Sequence, residues 1–318
     1  MKCKPLIQKC IFILLFLFYL VIKLYKKFIK VCVCTCGKKE NLYAKEFIQH
    51  YIKYGVDKIF IYDNNDIDGE RFNNVLSDYI NSGFVKILDW RGKTQIQMPA
   101  FNHCYQTNKN IYNYFIFFDM DEFIYLKDFI NIKDYLSQNH FKKCNIIYFN
   151  HVLHTDNEHI QYSNHSLIER FPEIENITRM NHSSKYINVL KDVIKSILVG
   201  KLNNITFLNP HFLDPNIKNR CNGFGELLKQ KISIHLQNPD YSFYYFDHYY
   251  FKSSQEYITK FSKGNVFFKH VKKFQLYYLY LYFAFNKITQ KKLDFFERQT
   301  GLDLGVFRNT SGNILYKL

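Results

Sequence analysis

At 318 residues with 47% hydrophobic side chains, the chain can build one large core or two small ones and is too apolar for a disordered tail. Its formal charge of +15 sits at the ends: residues 1–30 carry seven Lys and no acid, 31–251 carry 24 basic and 24 acidic side chains, 252–292 carry nine Lys against Glu256, and 293–318 balance at three and three. A neutral middle argues against a nucleic-acid partner, whereas terminal lysines beside apolar runs suit anionic lipid headgroups.

The first element is an apolar and aromatic run over 10–22, bracketed by Lys2, Lys4 and Lys9 and by Lys23, Lys26, Lys27 and Lys30. As a helix it spans about 20 Å against a roughly 30 Å hydrocarbon core, a gap that snorkelling Lys9 and Lys23 would narrow. Residues 1–30 therefore read as a signal-anchor or membrane-associated helix, single-pass, with no small-residue cleavage site. Lysines on both sides leave its orientation open.

Residues 30–36 read as a strand, 37–40 as a turn, and 42–54 as a helix. Asn41 caps that helix, Leu42, Phe47, Ile48, Tyr51 and Ile52 stripe it, and Gly55 stops it. A second strand at 56–62 closes on the acidic turn 63–69; a helix (72–81), a strand (85–89) and a helix (97–109) follow. This alternation predicts an α/β fold, doubly wound around a mostly parallel sheet. Cys32, Cys34 and Cys36 alternate on one strand face and read as buried small side chains, since neither a CxxC pair nor zinc spacing occurs.

The fourth strand is the run Tyr114-Phe115-Ile116-Phe117-Phe118, which ends abruptly in Asp119-Met120-Asp121-Glu122. On an extended backbone Asp119 and Asp121 point the same way and converge on one hard cation, Mn²⁺ or Mg²⁺. Ligands of open α/β sheets sit at the carboxyl ends of strands, so that cation would meet a diphosphate. Asp63, ending the second strand, brings another acid to the same edge, where it would accept hydrogen bonds from a base or ribose. Alone, 63–68 reads better as a solvated turn; together with Asp119 and Asp121 it reads as part of a site.

These residues fall in a familiar order. Lys38-x-Glu40, Glu46-Phe47-Ile48-x-His50, Gly55-Val56-Asp57 and Ile61-Tyr62-Asp63-Asn64 resemble the opening of GT-A glycosyltransferases of the family 92 (DUF23) and family 2-like group. In that group Asn stands at the place of Lys39 and Trp at that of Phe47. Asp119-Met120-Asp121-Glu122-Phe123 is similar to its Asp-Val-Asp-Glu-Phe. Ile168-Glu169-Arg170-Phe171, Lys195-Ser196-Ile197, the His211 region and Asp247-His248-Tyr249-Tyr250-x-Lys252-Ser253 echo later blocks, so the likeness runs from about 31 to 264. It implies a GT-A domain over 31–251 that moves a sugar, galactose in relatives, from a UDP-sugar to a glycan or glycoconjugate. It further implies that Lys38, Glu40, Asp63, Asn64, Asp119 and Lys195 bind the nucleotide sugar and that Asp119, Asp121 and His248 bind the metal. An inverting transferase also needs a base, and Asp156 in the loop after the metal motif is the nominee. Glu169 reads as structural, paired with Arg170 or another basic group.

From 252 onward the chain reads as a basic, aromatic helical extension, with helices at 255–261, ended by Gly264, and at 272–285. The second either lies in a membrane interface or covers the sheet. Two rival readings are a degenerate membrane-bound adaptor and a metal-dependent nucleotidyl or phosphoryl transferase. The latter would also use paired aspartates, but no Gly-x-x-x-x-Gly-Lys loop is present.

Overall fold

The computed structural model describes residues 11–13, 15–16, 29–174, 193–211, 217–229, 242–262 and 276–308. β1 (Val31–Gly37) lies between parallel β2 (Lys58–Asp63) and β4 (Tyr114–Phe117), and β3 (Val85–Asp89) extends the sheet beyond β2. Helices α1 (Asn41–Lys53), α2 (Asn73–Asn81) and α3 (Gln97–Asn108) make the crossovers. Successive strand side chains point to opposite faces, and each face has its own helical cover. Val31, Val33, Ile59 and Ile61 pack with Phe47, Tyr51, Phe72 and Leu76 of the α1 and α2 side. Cys32, Cys34, Phe60, Tyr62 and Phe115 pack with Ala100, Phe101 and Tyr105 of α3. This half is doubly wound, as the alternation predicts.

α1 buries a stripe displaced from the expected one. Tyr43, Ala44, Phe47, Ile48 and Tyr51 face the sheet at i, i+4 spacing, while Leu42 and Ile52 are exposed. Glu40, not Asn41, occupies the N-cap, and the Asn41 amide donates instead to the Arg71 carbonyl (3.1 Å). Gly55 does stop the helix: its φ is +76°, and a Cβ there would stand 2.4 Å from the Asn131 side chain.

Beyond β4 the sheet becomes mixed. β7 (Ile194–Val199) runs antiparallel to both β4 and β6 (Ile146–Leu153), β9 (Tyr244–His248) is parallel to β6, and β5 (Glu122–Leu126) closes the edge antiparallel to β9. The order is β3-β2-β1-β4-β7-β6-β9-β5, with β8 (Arg220–Asn222) also on β6. Three strands separate β4 from β5 in space, although only residues 118–121 separate them in sequence. α4 (Ile132–Leu136) and α5 (Leu167–Arg170) are short.

Two disulfides overturn the reading of Cys34 as an unbonded side chain. Cys34–Cys104 staples β1 to α3, and Cys144–Cys221 staples the approach to β6 to β8; Cys32 and Cys36 stay free. Closing loops 70 and 77 residues long stabilises by about 4 kcal/mol each in the chain-entropy picture.

The last helices, α6 (Ser254–Ser262), α7 (Leu276–Phe285) and α8 (Gln290–Thr300), enclose a third core in which Tyr257, Leu279, Tyr282, Leu293 and Phe296 meet Leu153 and Phe251. α7 thus covers the body of the protein; Gly264 and 272–275 lie outside the described residues. So does most of 10–22, of which 11–13 and 15–16 are helical and exposed. Among the described residues no helix is long and apolar enough to cross a membrane.

Candidate active site

The acidic motif is a turn, not the end of an extended strand. The central strand stops at Phe117 and the chain must leave for the far edge, so it folds back at once: the Glu122 N–H donates to the Asp119 carbonyl (3.1 Å) and the Asp119 N–H to Glu122 Oε2 (2.9 Å). Asp119 and Asp121 consequently meet different partners. Asp119 accepts from Gln97 Nε2 (2.8 Å) and from Lys195 Nζ (2.7 Å). Asp121 is buried, and its Oδ2 accepts from both Lys252 (2.7 Å) and Lys260 (2.8 Å). Its Oδ1 lies 3.8 Å from His248 Nε2, and so does Glu122 Oε1. Glu122 Oε2 pairs with Lys195 at 3.0 Å, while Oε1 is buried with no hydrogen-bond partner.

Burial alone would raise the Asp121 pKa, but Lys252, Lys260 and His248 outweigh it and hold the carboxyl well below the usual range. Glu122 goes the other way: burial, with Asp119 and Asp121 adding repulsion, pushes it up to about 8 against the help of Lys195. Burial also drives His248 well below its ordinary value, with His151, Lys260 and Lys195 assisting and Asp121 opposing.

Each of these side chains is set by a strand or helix end. His248 ends β9 in register with Glu122, and its Nδ1 lies 3.2 Å from His151 Nδ1 on β6. Lys195 is carried by β7 and fully buried. Lys252 takes the left-handed backbone at φ +54°, uncommon for a lysine, and its Nζ sits 4.6 Å over the Tyr43 ring. Lys260, two turns into α6, sits 4.2 Å over Tyr250. Glu256 clamps the stretch between them, accepting from Arg170 (2.7 and 3.0 Å), Tyr43 Oη (2.6 Å), Ser253 Oγ (2.5 Å) and the Ser253 N–H (3.2 Å). Arg170 therefore belongs to Glu256, and Glu169 forms a capping box with Ser166 instead of pairing with its neighbour.

The nucleotide-side residues gather where β1 and β2 end in register at Gly37 and Asp63. Asp63 Oδ1 accepts from the Asn65 N–H (3.0 Å) and side-chain amide (2.8 Å), an Asx turn. Lys38 pairs with Asp66 (2.7 Å), and the Asn64 Oδ1 is buried without a partner. Gly37 is needed here, since a Cβ would stand 2.7 Å from Phe72 and 3.0 Å from Met120 of the acidic turn. Glu40, at the head of α1, raises the Lys260 pKa together with Asp121 and Asp119, against the lowering effect of burial.

Asp156 stands apart. Its Oδ2 accepts from Tyr282 Oη and Lys292 Nζ (2.5 Å), its Oδ1 from the Glu158 N–H (2.9 Å), and its own N–H donates to Asn286 (2.7 Å). A buried carboxylate so engaged by the C-terminal helices has the environment of a structural ion pair, not that of a base open to an acceptor.

Among the described residues no three His, Cys, Asp or Glu side chains form a ready metal shell. The nearest arrangement is Asp121 Oδ1, Glu122 Oε1 and His248 Nε2, two hard oxygens and an imidazole that suit Mn²⁺ or Mg²⁺. The unpartnered Glu122 oxygen fits a cation at that point. Asp119, by contrast, is engaged by Gln97 and Lys195.

The sequence profile of glycosyltransferase family 92 matches residues 27–280, which hold every residue of the acidic cluster and its lysines. The chain belongs to glycosyltransferase family 92. It is similar to family 92 proteins of Ricinus communis (28% identical over 108 residues, 33% of this chain), Arabidopsis thaliana (34% over 98, 30%) and Oryza sativa (28% over 107, 33%). These stretches span 19%, 16% and 18% of the respective relatives' lengths. Within the family segment, sequence reasoning gave no role to Gln97, Glu122, His151, Lys252 or Lys260. Lys252 lay in a quoted block and offered a signal, because Lys252 precedes the predicted helix 255–261 and Lys260 lies in its last turn. Gln97 and His151 offered none.

Proposed function

We propose that this family 92 protein is a metal-dependent transferase of GT-A architecture, moving a sugar, with galactose the favoured candidate, from a UDP-sugar to a hydroxyl of a glycan or glycoconjugate. One observation carries the reading: the family match over 27–280 coincides with a sheet edge at which Asp119, Asp121 and His248 meet three lysines, with Asp63 at the end of β2. In the reaction the acceptor oxygen bonds to the anomeric carbon, the bond from that carbon to the diphosphate breaks, and the hydroxyl proton leaves to a base. Asp63 and the Lys38, Glu40 and Asn64 loops hold the nucleoside end. Asp121 and His248 would hold Mn²⁺ or Mg²⁺, which would supply positive charge against the departing diphosphate. Lys195 fixes Asp119 at the turn, and Asp156 takes no part.

The test is incubation of the full chain with Mn²⁺ and each of several UDP- and GDP-sugars, following nucleoside diphosphate release. Release from one donor is the expected result; absence of release from all of them, together with no UDP binding, overturns the reading.

Residues 10–22 are proposed to anchor the protein, with the folded body on the oxidising side of the membrane. The flanking lysines and the two disulfides support this. Alkaline carbonate should leave the full chain in the membrane pellet and release a chain lacking 1–28, and sealed vesicles should protect the body from protease. Solubilisation of the full chain, or digestion of the body in sealed vesicles, defeats the proposal.

A further inference from the structure

We propose that Lys252 and Lys260 are the cations that receive the donor's diphosphate, parked on Asp121 until it arrives; the inference rests on the nucleotide-sugar reading above. Both ammonium groups donate to one oxygen, Asp121 Oδ2, at 2.7 and 2.8 Å. Two ammoniums thus share one anionic oxygen, and each keeps N–H donors for a second one. Tyr43 and Tyr250 present ring faces to the two ammoniums at 4.6 and 4.2 Å, which supports a cation without cancelling its charge.

The backbone shows that this aim is built in. Lys252 holds a left-handed φ of +54°, a conformation that costs free energy for a residue with a Cβ, and Glu256 fixes the adjoining turn through Ser253, Arg170 and Tyr43. Glu256 is a positioning residue in this scheme. A strained lysine directed inward by a buried clamp exceeds what Asp121 needs for neutralisation, because Lys260 alone would supply it. A divalent ion shared by Asp121 and His248 would repel both ammoniums from Asp121, and a diphosphate entering beside it offers them new oxygens. Lysines that leave the carboxylate as the anion enters add stabilisation where the leaving group gathers negative charge.

The experiment is calorimetric titration of the full chain with UDP and with UMP in Mn²⁺, reading the ratio of their dissociation constants, which a general loss of fold quality does not shift. Lys260→Gln should reduce the preference for UDP by about tenfold, the value of a charge-assisted hydrogen bond, while Lys260→Arg keeps it. Inorganic pyrophosphate should compete with UDP in the unaltered protein, a readout that needs no variant to fold. An unchanged ratio in Lys260→Gln, or pyrophosphate that fails to displace bound UDP, overturns the assignment and leaves the nucleotide-sugar reading standing. Failure of the unaltered protein to bind either nucleotide overturns both.

Discussion

Asp121 and Asp156 are both buried aspartates gripped by lysine, and their surroundings differ in one respect. Asp156 is matched: one ammonium, one phenol and one backbone N–H take its oxygens, and all three donors come from the last helices or the adjoining loop. Asp121 is mismatched, with two ammoniums on one oxygen, an imidazole 3.8 Å from the other, and a neighbouring Glu122 oxygen with no partner. A fold that only needed stability would even out such an excess and deficit. Matched charge goes with structure here, and the uneven cluster at Asp121 coincides with the proposed ligand site.

The sharpest way to break this comparison is to neutralise each aspartate. Asp121→Asn keeps the shape and should lower donor turnover by about a thousandfold, the order of loss when a principal charge contact to a transition state is removed, with circular dichroism unchanged; turnover near the unaltered level would remove Asp121 from the site. Asp156→Ala should instead cost about 4 kcal/mol of unfolding free energy, because Lys292 is left buried and unpaired, and should leave turnover per folded molecule intact. Replacing both partners with Leu and Met should recover most of that loss in a denaturant titration.

A smaller effect separates the imidazoles. Burial holds His50 down at about 4 against a hydrogen bond to the Ile124 carbonyl (2.9 Å), a matched ring far from the lysines in role. Its unfolded form takes up a proton first, so its share of stability is complete above about pH 6.5 and is lost as pH falls toward 4. With the ring half-buried, that share is about 1–2 kcal/mol, and His50→Gln should flatten the fall in unfolding free energy across this window by that amount in denaturant titrations. The smallest effect lies beside Asp156. Lys287 pairs with Glu158 at 2.8 Å in the open, so Lys287→Ala should change stability by under about 0.5 kcal/mol. A larger change would mean that exposure does not distinguish the two neighbouring pairs.

Much of the first half was legible because its signals are local. Apolar runs at 30–36, 56–62, 85–89 and 114–118, separated by amphipathic segments, placed β1 to β4 and α1 to α3 within a few residues of their observed bounds. The mixed half was not, since β7, β6, β9 and β5 are neighbours chosen by long-range pairing that leaves no mark on spacing. At the site, Lys195 and His248 came only through the family resemblance, whereas Asp63 and Asp121 stood out by residue type at strand ends. The turn at 119–122 did not, because an extended backbone was assumed where the chain reverses. Gln97 on Asp119, and Lys252 and Lys260 on Asp121, join residues 22, 131 and 139 positions apart. The two disulfides span 70 and 77 residues between alternating strand positions and unrelated elements, so hydrophobic burial and covalent bonding were indistinguishable from the pattern alone.

The Asp156–Lys292 pair bears on where the protein can be cut. The family segment ends at 280, inside α7, whereas Lys292 belongs to α8 and reaches back to a loop in the middle of the chain. A fragment trimmed at 280 would shed the ammonium and the Tyr282 phenol together, leaving the carboxylate with no counter-charge and only the Glu158 N–H on its side chain. Any portion prepared for crystallisation or transplantation onto another scaffold should therefore keep α8, since the boundary of kinship and the boundary of the physical unit do not coincide.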